Sequence, residues 1–125
     1  MAAGTLVSSG SSGNMPTGSG SERLRRALIT GLNADWQEIL SGTAGHIYTV
    51  LSLICTNTTS SDAVCAATVE AGGQELYLFA DSDISGSKTF VFNDRFVLEE
   101  DDDLNVYTTS TNGDFYVSYI DADWT

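Results

Sequence analysis

The chain has 125 residues, 42% of them hydrophobic and 10% aromatic, which is enough for one domain with a real core and argues against a wholly disordered chain. Seventeen acids stand against five bases, a net charge of −12, and from residue 27 onward sixteen acids face only Lys88 and Arg95. Such an acidic body argues against nucleic acid and anionic membranes as partners, because both are recognised by clustered Lys and Arg, and no apolar run is long enough to span a bilayer.

Residues 1–21 form a low-complexity Gly/Ser arm without the apolar core of a signal peptide. Alone, such a segment behaves as a flexible coil. Its sparse apolar residues, Leu6, Val7 and Met15, are the anchors of a docking arm that orders on a partner; the plainer alternative is a linker tail. Residues 22–30 read as an edge strand, with an amphipathic helix disfavoured by Ile29, Thr30 and Gly31. Arg23, Arg25 and Arg26 make the only basic cluster. They are candidate contacts to an acidic partner surface, or else solvated arginines. The resulting division is an arm over residues 1–26 and a folded domain over residues 27–125.

Beyond the arm, short apolar alternations recur at regular spacing. Residues 36–40 read as a strand, followed by a turn at 42–45. Residues 46–56 are β-branched and aromatic without Pro or Gly. Strict alternation places Ile47, Leu51, Leu53 and Cys55 on one face and Tyr48, Val50, Ile54 and Thr56 on the other. Both faces are largely apolar, so the strand is expected to be central and covered on both sides, or to meet a partner on one. The polar run 57–62 is expected to close a hairpin onto residues 63–69, bringing Cys55 opposite Cys65 as reduced core thiols. Further strands are expected at 76–80, 89–92, 95–98, 104–109 and 115–120. Turns are expected at Gly72-Gly73, at the acidic run 99–103 and at Asn112-Gly113, the last as a hairpin. The pattern predicts an all-β antiparallel sandwich or jelly roll behind an extended arm.

Few residues suggest chemistry. His46 is the lone histidine, and no nucleophile elbow, phosphate loop or dinucleotide glycine pattern accompanies it, so no catalytic residues and no cofactor are expected. A hydrolase using Ser, Asp and His46 is the minor alternative. The two cysteines and His46 match no zinc spacing. The run 99–103 could present carboxylates to Ca²⁺ but lacks the loop pattern for it, so a solvated turn is the preferred reading and no metal is expected. Trp36, Trp124 and the acidic turn are the support for a carbohydrate- or Ca²⁺-binding module.

One ordered set of segments goes further. Ile47-Tyr48-Thr49-Val50, Leu51-Ser52-Leu53-Ile54-Cys55-Thr56-Asn57, Leu76-Tyr77-Leu78-Phe79, Val97-Leu98, Asp102-Asp103-Leu104-Asn105-Val106 and Val117-Ser118-Tyr119-Ile120 follow one another across residues 36–122. In this order they resemble small β-sandwich virion proteins of tailed bacteriophages. The chain departs from the family pattern at Asp102-Asp103, where the pattern has Gly-Asp and a glycine suited to a left-handed turn. The resemblance implies a virion structural protein present in many copies. It implies a capsid decoration or cement protein held by its arm to the major capsid protein or another virion protein, with a neck or tail component as the alternative. A homo-oligomer, most simply a trimer, follows from the same resemblance.

Overall fold

The computed structural model describes residues 4–8 and 21–124. Ten strands alternate along them: β1 (Thr5–Ser8), β2 (Ser21–Leu32), β3 (Trp36–Ser41), β4 (His46–Asn57), β5 (Ala63–Ala71), β6 (Gln74–Ile84), β7 (Thr89–Phe92), β8 (Phe96–Leu98), β9 (Asp103–Thr108) and β10 (Gly113–Asp123). They form two antiparallel sheets packed as a sandwich. The larger, sheet A, runs β1-β2-β10-β4-β7, with β8 also on β4; the smaller, sheet B, runs β3-β9-β5-β6. Among the described residues no helix is long and apolar enough to cross a membrane.

The two-residue period sets the core. Phe115, Val117 and Tyr119 of β10 point inward, and so do Ala27 and Ile29 of β2 and Leu53 and Cys55 of β4. Sheet B answers with Ile39, Leu104, Val106, Cys65 and Ala67. Phe79, Phe90, Phe92 and Phe96 close one flank of this core with ring centroids 4.8–6.2 Å apart.

Strict alternation fails at one point of β4. The register to β10 shifts between Ser118 and Tyr119, a bulge that leaves Leu51 without a partner. The inward set is therefore Tyr48, Val50, Leu53, Cys55 and Asn57, and Ile47 and Ile54 share the outer face, unlike the expected grouping.

The expected hairpin between β4 and β5 does not form. β4 pairs with β10, β7 and β8, and β5 pairs with β6 and β9, so residues 58–62 arch from one sheet to the other. Cys55 and Cys65 still meet, across the sandwich rather than along a ladder, with both thiols free and buried. The hydrogen bond to Cys65, together with burial, pushes the Cys55 thiol well above the ordinary range. Asn112-Gly113 is likewise an arch, from β9 in sheet B to β10 in sheet A. Gly113 serves close approach there, since a Cβ on it would lie 2.8 Å from Thr108 Cγ2. Gly72 and Gly73, at φ 56° and 78°, do make the expected hairpin turn of β5 onto β6. In the acidic run, Asp101 takes the left-handed conformation at φ 68° without a glycine, and the Asp102 carboxylate accepts the Glu99 N–H at 2.9 Å.

The boundary expected after residue 26 falls inside β2, so residues 21–26 belong to the sheet. Part of the expected arm folds back as well: β1 lines the free edge of β2, pairing Leu6 with Ile29 and Val7 with Leu28. Gln37 of β3 clamps the start of β1, accepting from Gly4 N at 2.7 Å and donating to Gly4 O at 3.3 Å. Met15 lies outside the described residues.

Asn57 fastens the arches. Fully buried, its Nδ2 donates to the carbonyls of Ser61 (2.6 Å) and Ile84 (3.0 Å). Its Oδ1 accepts from Thr59 N (3.1 Å), Thr59 Oγ1 (2.8 Å) and Ser110 Oγ (2.8 Å). Replacing it leaves buried carbonyls and hydroxyls without partners. Asn57→Ala should lower unfolding stability by about 3 kcal/mol, read as a shift of the denaturant midpoint.

Candidate functional site

The outer face of an antiparallel sandwich sheet is ordinarily polar. Sheet A breaks that rule. Register carries one apolar row across five strands, Val7–Leu28–Tyr116–Ile54–Val91. A parallel row runs Leu24–Ile120–Thr49–Val97, and the unpaired Leu51 lies between them beside Arg26 and Ser118. Of ten exposed large apolar side chains among the described residues, five are on this face: Val7, Leu24, Val91, Val97 and Tyr116. Leu24 is 69% exposed, so the described residues do not cover the patch.

Charge is withdrawn from the same face. By alternation its strands carry outward only Glu22, Arg26 and Asp114, and Asp114 Oδ1 is occupied by the Gly31 N–H at 3.0 Å. The outer face of sheet B, by contrast, carries Glu38, Glu70, Glu75 and Asp103. Depletion of charge around aromatic and aliphatic side chains marks the centre of protein interfaces. Four inter-strand steps of ~4.8 Å by eight residue steps of ~3.3 Å give about 500 Å² in projection, the order of what one partner contributes to a specific interface.

The arginine cluster divides. Arg26 points outward into the apolar face, against Leu24, Leu51, Tyr116 and Ser118. Arg23 and Arg25 point inward and are spent inside the chain. Arg25 Nε is 3.1 Å and Arg23 Nη2 3.5 Å from Asp121 Oδ2, with Asp121 only 2% exposed. His46 completes the cluster, with Nδ1 2.7 Å from Asp121 Oδ1 and Nε2 3.7 Å from Asp123 Oδ1. The lone histidine therefore sits between carboxylates, and among the described residues no hydroxyl or thiol is hydrogen-bonded to it. Tyr119 adjoins the cluster. Burial and neighbouring Tyr48, opposed by Arg25, push its phenol up to about 12.

Of the residues expected to contact a partner, Val7 and Arg26 reach the apolar face and Leu6 is exposed on the β1 edge. Alternation along β2 turns Arg23 and Arg25 inward to Asp121, and Arg25 also borders the hollow beside Leu24 and Leu51. Leu28, Ile54, Val91, Val97, Tyr116 and Ile120 were missed as site residues. Their signal was the apolar character of both faces of residues 46–56.

No family model matches the chain, and no curated protein matches it. Solved structures do. The chain is similar to one of infectious bursal disease virus, Gx strain, at 12% identity and TM-score 0.43, over 91% of this chain and 41% of that one. It is similar to another from the T13 particle of the same virus at 11% identity and TM-score 0.39, over 93% and 39%. A third is the Clostridium thermocellum xylanase 10B CBM22-1–GH10 modules complexed with xylohexaose, at 14% identity and TM-score 0.45, over 96% and 24%. The chain spans less than half the length of each, and likenesses at this level carry no functional conclusion.

Two outcomes follow from the charged groups. Removing one partner of a buried ion pair strands the others, so Asp121→Ala should cost about 3–5 kcal/mol in unfolding experiments. Burial, then the adjacent Asp103 carboxylate, raises the Glu38 carboxyl above its ordinary value of 4.5. A raised carboxyl favours the protonated folded state. Its stabilisation is complete below the ordinary value and lost as pH climbs through the raised one. Glu38→Gln should therefore raise the melting temperature at about pH 7 and leave it unchanged near pH 3.

Proposed function

We propose that this protein is a structural component of a tailed-phage virion, a decoration or cement protein that docks on the assembled head through the outer face of sheet A. The observation that carries the reading is the charge-depleted apolar row Val7–Leu28–Tyr116–Ile54–Val91 on a chain of net charge −12. The segments that resemble phage virion sandwiches supply its strands: residues 47–57 lie in β4 and 117–120 in β10.

A second copy is the poorer occupant for this face. Face-to-face pairing would bring two strongly acidic rims within about a Debye length, roughly 8 Å at physiological salt. A coat-protein surface with its own apolar patch has no such conflict. β1, the edge strand of sheet A among the described residues, would add backbone hydrogen bonds to an adjoining strand of the shell. Copies grouped as a trimer about a shell axis would multiply weak contacts, and binding only the assembled shell stabilises that state by mass action.

The test is co-sedimentation of purified chain with particles stripped of it. Val91→Glu and Tyr116→Glu put a carboxylate on the row at exposed positions, where folding is little affected. Both variants should keep the wild-type melting temperature and lose particle binding by about tenfold or more, at 1.4 kcal/mol per decade. Wild-type occupancy by both would overturn the docking face.

A further inference from the structure

The outer face of sheet B holds a different surface. Trp36 of β3 stacks on Tyr107 of β9, centroids 4.9 Å apart and planes at 28°. Tyr77 of β6 meets Trp36 edge-on at 6.1 Å and 77°. Between them β5 presents only Ala66 and Thr68, small residues paired in register with Tyr107 on one side and Tyr77 on the other. The rings lean over this trough from both flanks. They leave a shallow cleft of about 210 Å³ lined by Trp36, Tyr77, Asn105 and Glu75.

Two features are unexplained by folding. Trp36 and Tyr77 remain 39% and 50% exposed although the core lies on the other side of the sheet. Thr68, fully buried beneath them, has an Oγ1 with no hydrogen-bond partner among the described residues. A buried hydroxyl left unsatisfied is a cost that a fold normally avoids.

We propose that this cleft is a binding site for a neutral saccharide. Aromatic rings supply flat apolar area for the C–H face of a sugar, and a few placed polar groups fix its orientation. Asn105 offers both a donor and an acceptor and Glu75 accepts from ligand hydroxyls, while Thr68 lies buried beneath the rings, paired in register with Asn105 and Tyr77. The face carries Glu38, Glu70, Glu75 and Asp103 and no base, which repels phosphate, sulfate and uronate. An organic cation is the other ligand that rings and acids attract. A cation box converges ring faces on the charge, whereas here one face of Trp36 is covered by Tyr107 and Tyr77 meets it at an edge. The cleft has room for about one sugar ring, so a longer chain would run along the trough with one ring seated. The two outer faces are on opposite sides of the sandwich, so a copy held through sheet A presents Trp36 outward. Saccharide binding does not depend on that docking.

The test uses the full chain in a Trp124→Phe background, so that Trp36 alone reports by fluorescence. The titrants are cellohexaose, maltohexaose and a mannohexaose, with tetramethylammonium and a sulfated hexasaccharide as contrasts. Saturable change with at least one neutral hexasaccharide, and none with the contrasts, is the expected result. By calorimetry, Tyr77→Ala should weaken binding about tenfold or more with little change in melting temperature, since Tyr77 is half exposed. Asn105→Ala removes the amide that lines the cleft and should likewise weaken the saccharide several-fold, with the melting temperature checked alongside. No saturable response to any neutral hexasaccharide, a response to the cation or the sulfated chain instead, or full affinity in both variants would each overturn the proposal.

Discussion

Asp121 is the group on which one end of the sandwich depends. The inner face of β10 is apolar through Tyr119 and then turns acidic at Asp121 and Asp123, still buried. A carboxylate there is tolerable only if cations reach it, and two do, Arg23 and Arg25 from β2, with His46 Nδ1 of β4 2.7 Å from the other carboxylate oxygen. The strands flanking β10 are thus fixed in register by charge at this end and by Asn57 at the other. The pairing is not evidence of great net stability, because desolvation offsets much of the attraction. Its effect is on specificity. A slip of one residue along β2 would turn both arginines out to solvent and leave Asp121 alone.

Much of this architecture was legible in the sequence, and the failures have common causes. Strand positions followed from alternation and turn residues, and the sandwich followed from their number and spacing. What alternation cannot tell is which strand pairs with which. Residues 57–62 and 110–114 have the composition of hairpin turns, yet they arch between sheets. The difference lies in partners far along the chain, such as the Asn57 contact to Ile84. The bulge at Leu51 escaped notice because two apolar residues flanking a serine look alike in either register. Counted as basic charge, Arg23, Arg25 and Arg26 form one cluster. Counted by alternation they are two buried ion-pair members and one surface residue. The apolar outer face of sheet A was visible in outline, since residues 46–56 are apolar on both sides. Its full row required the register of five strands, which no local pattern encodes.

The two outer faces divide the remaining chemistry. Sheet A offers area without charge, which suits a large flat partner. Sheet B offers three aromatic rings among acids and a small cleft, which suits a small polar ligand. The small residues of β5, weak as strand formers, make sense on this view: Cys65 and Ala67 let the interior close tightly, and Ala66 with Thr68 makes room outside for the rings of its neighbours.

The segregation of acids away from the sheet A face has a colloidal consequence. A protein with an uncovered apolar patch is prone to self-association, and here the repulsion between carboxylate-rich bodies keeps copies apart while each still carries a face to be covered. That repulsion is set by solution conditions and the patch is not. High salt removes the guard and leaves the face intact, so the solubility of the free chain is governed by ionic strength more steeply than its folding is.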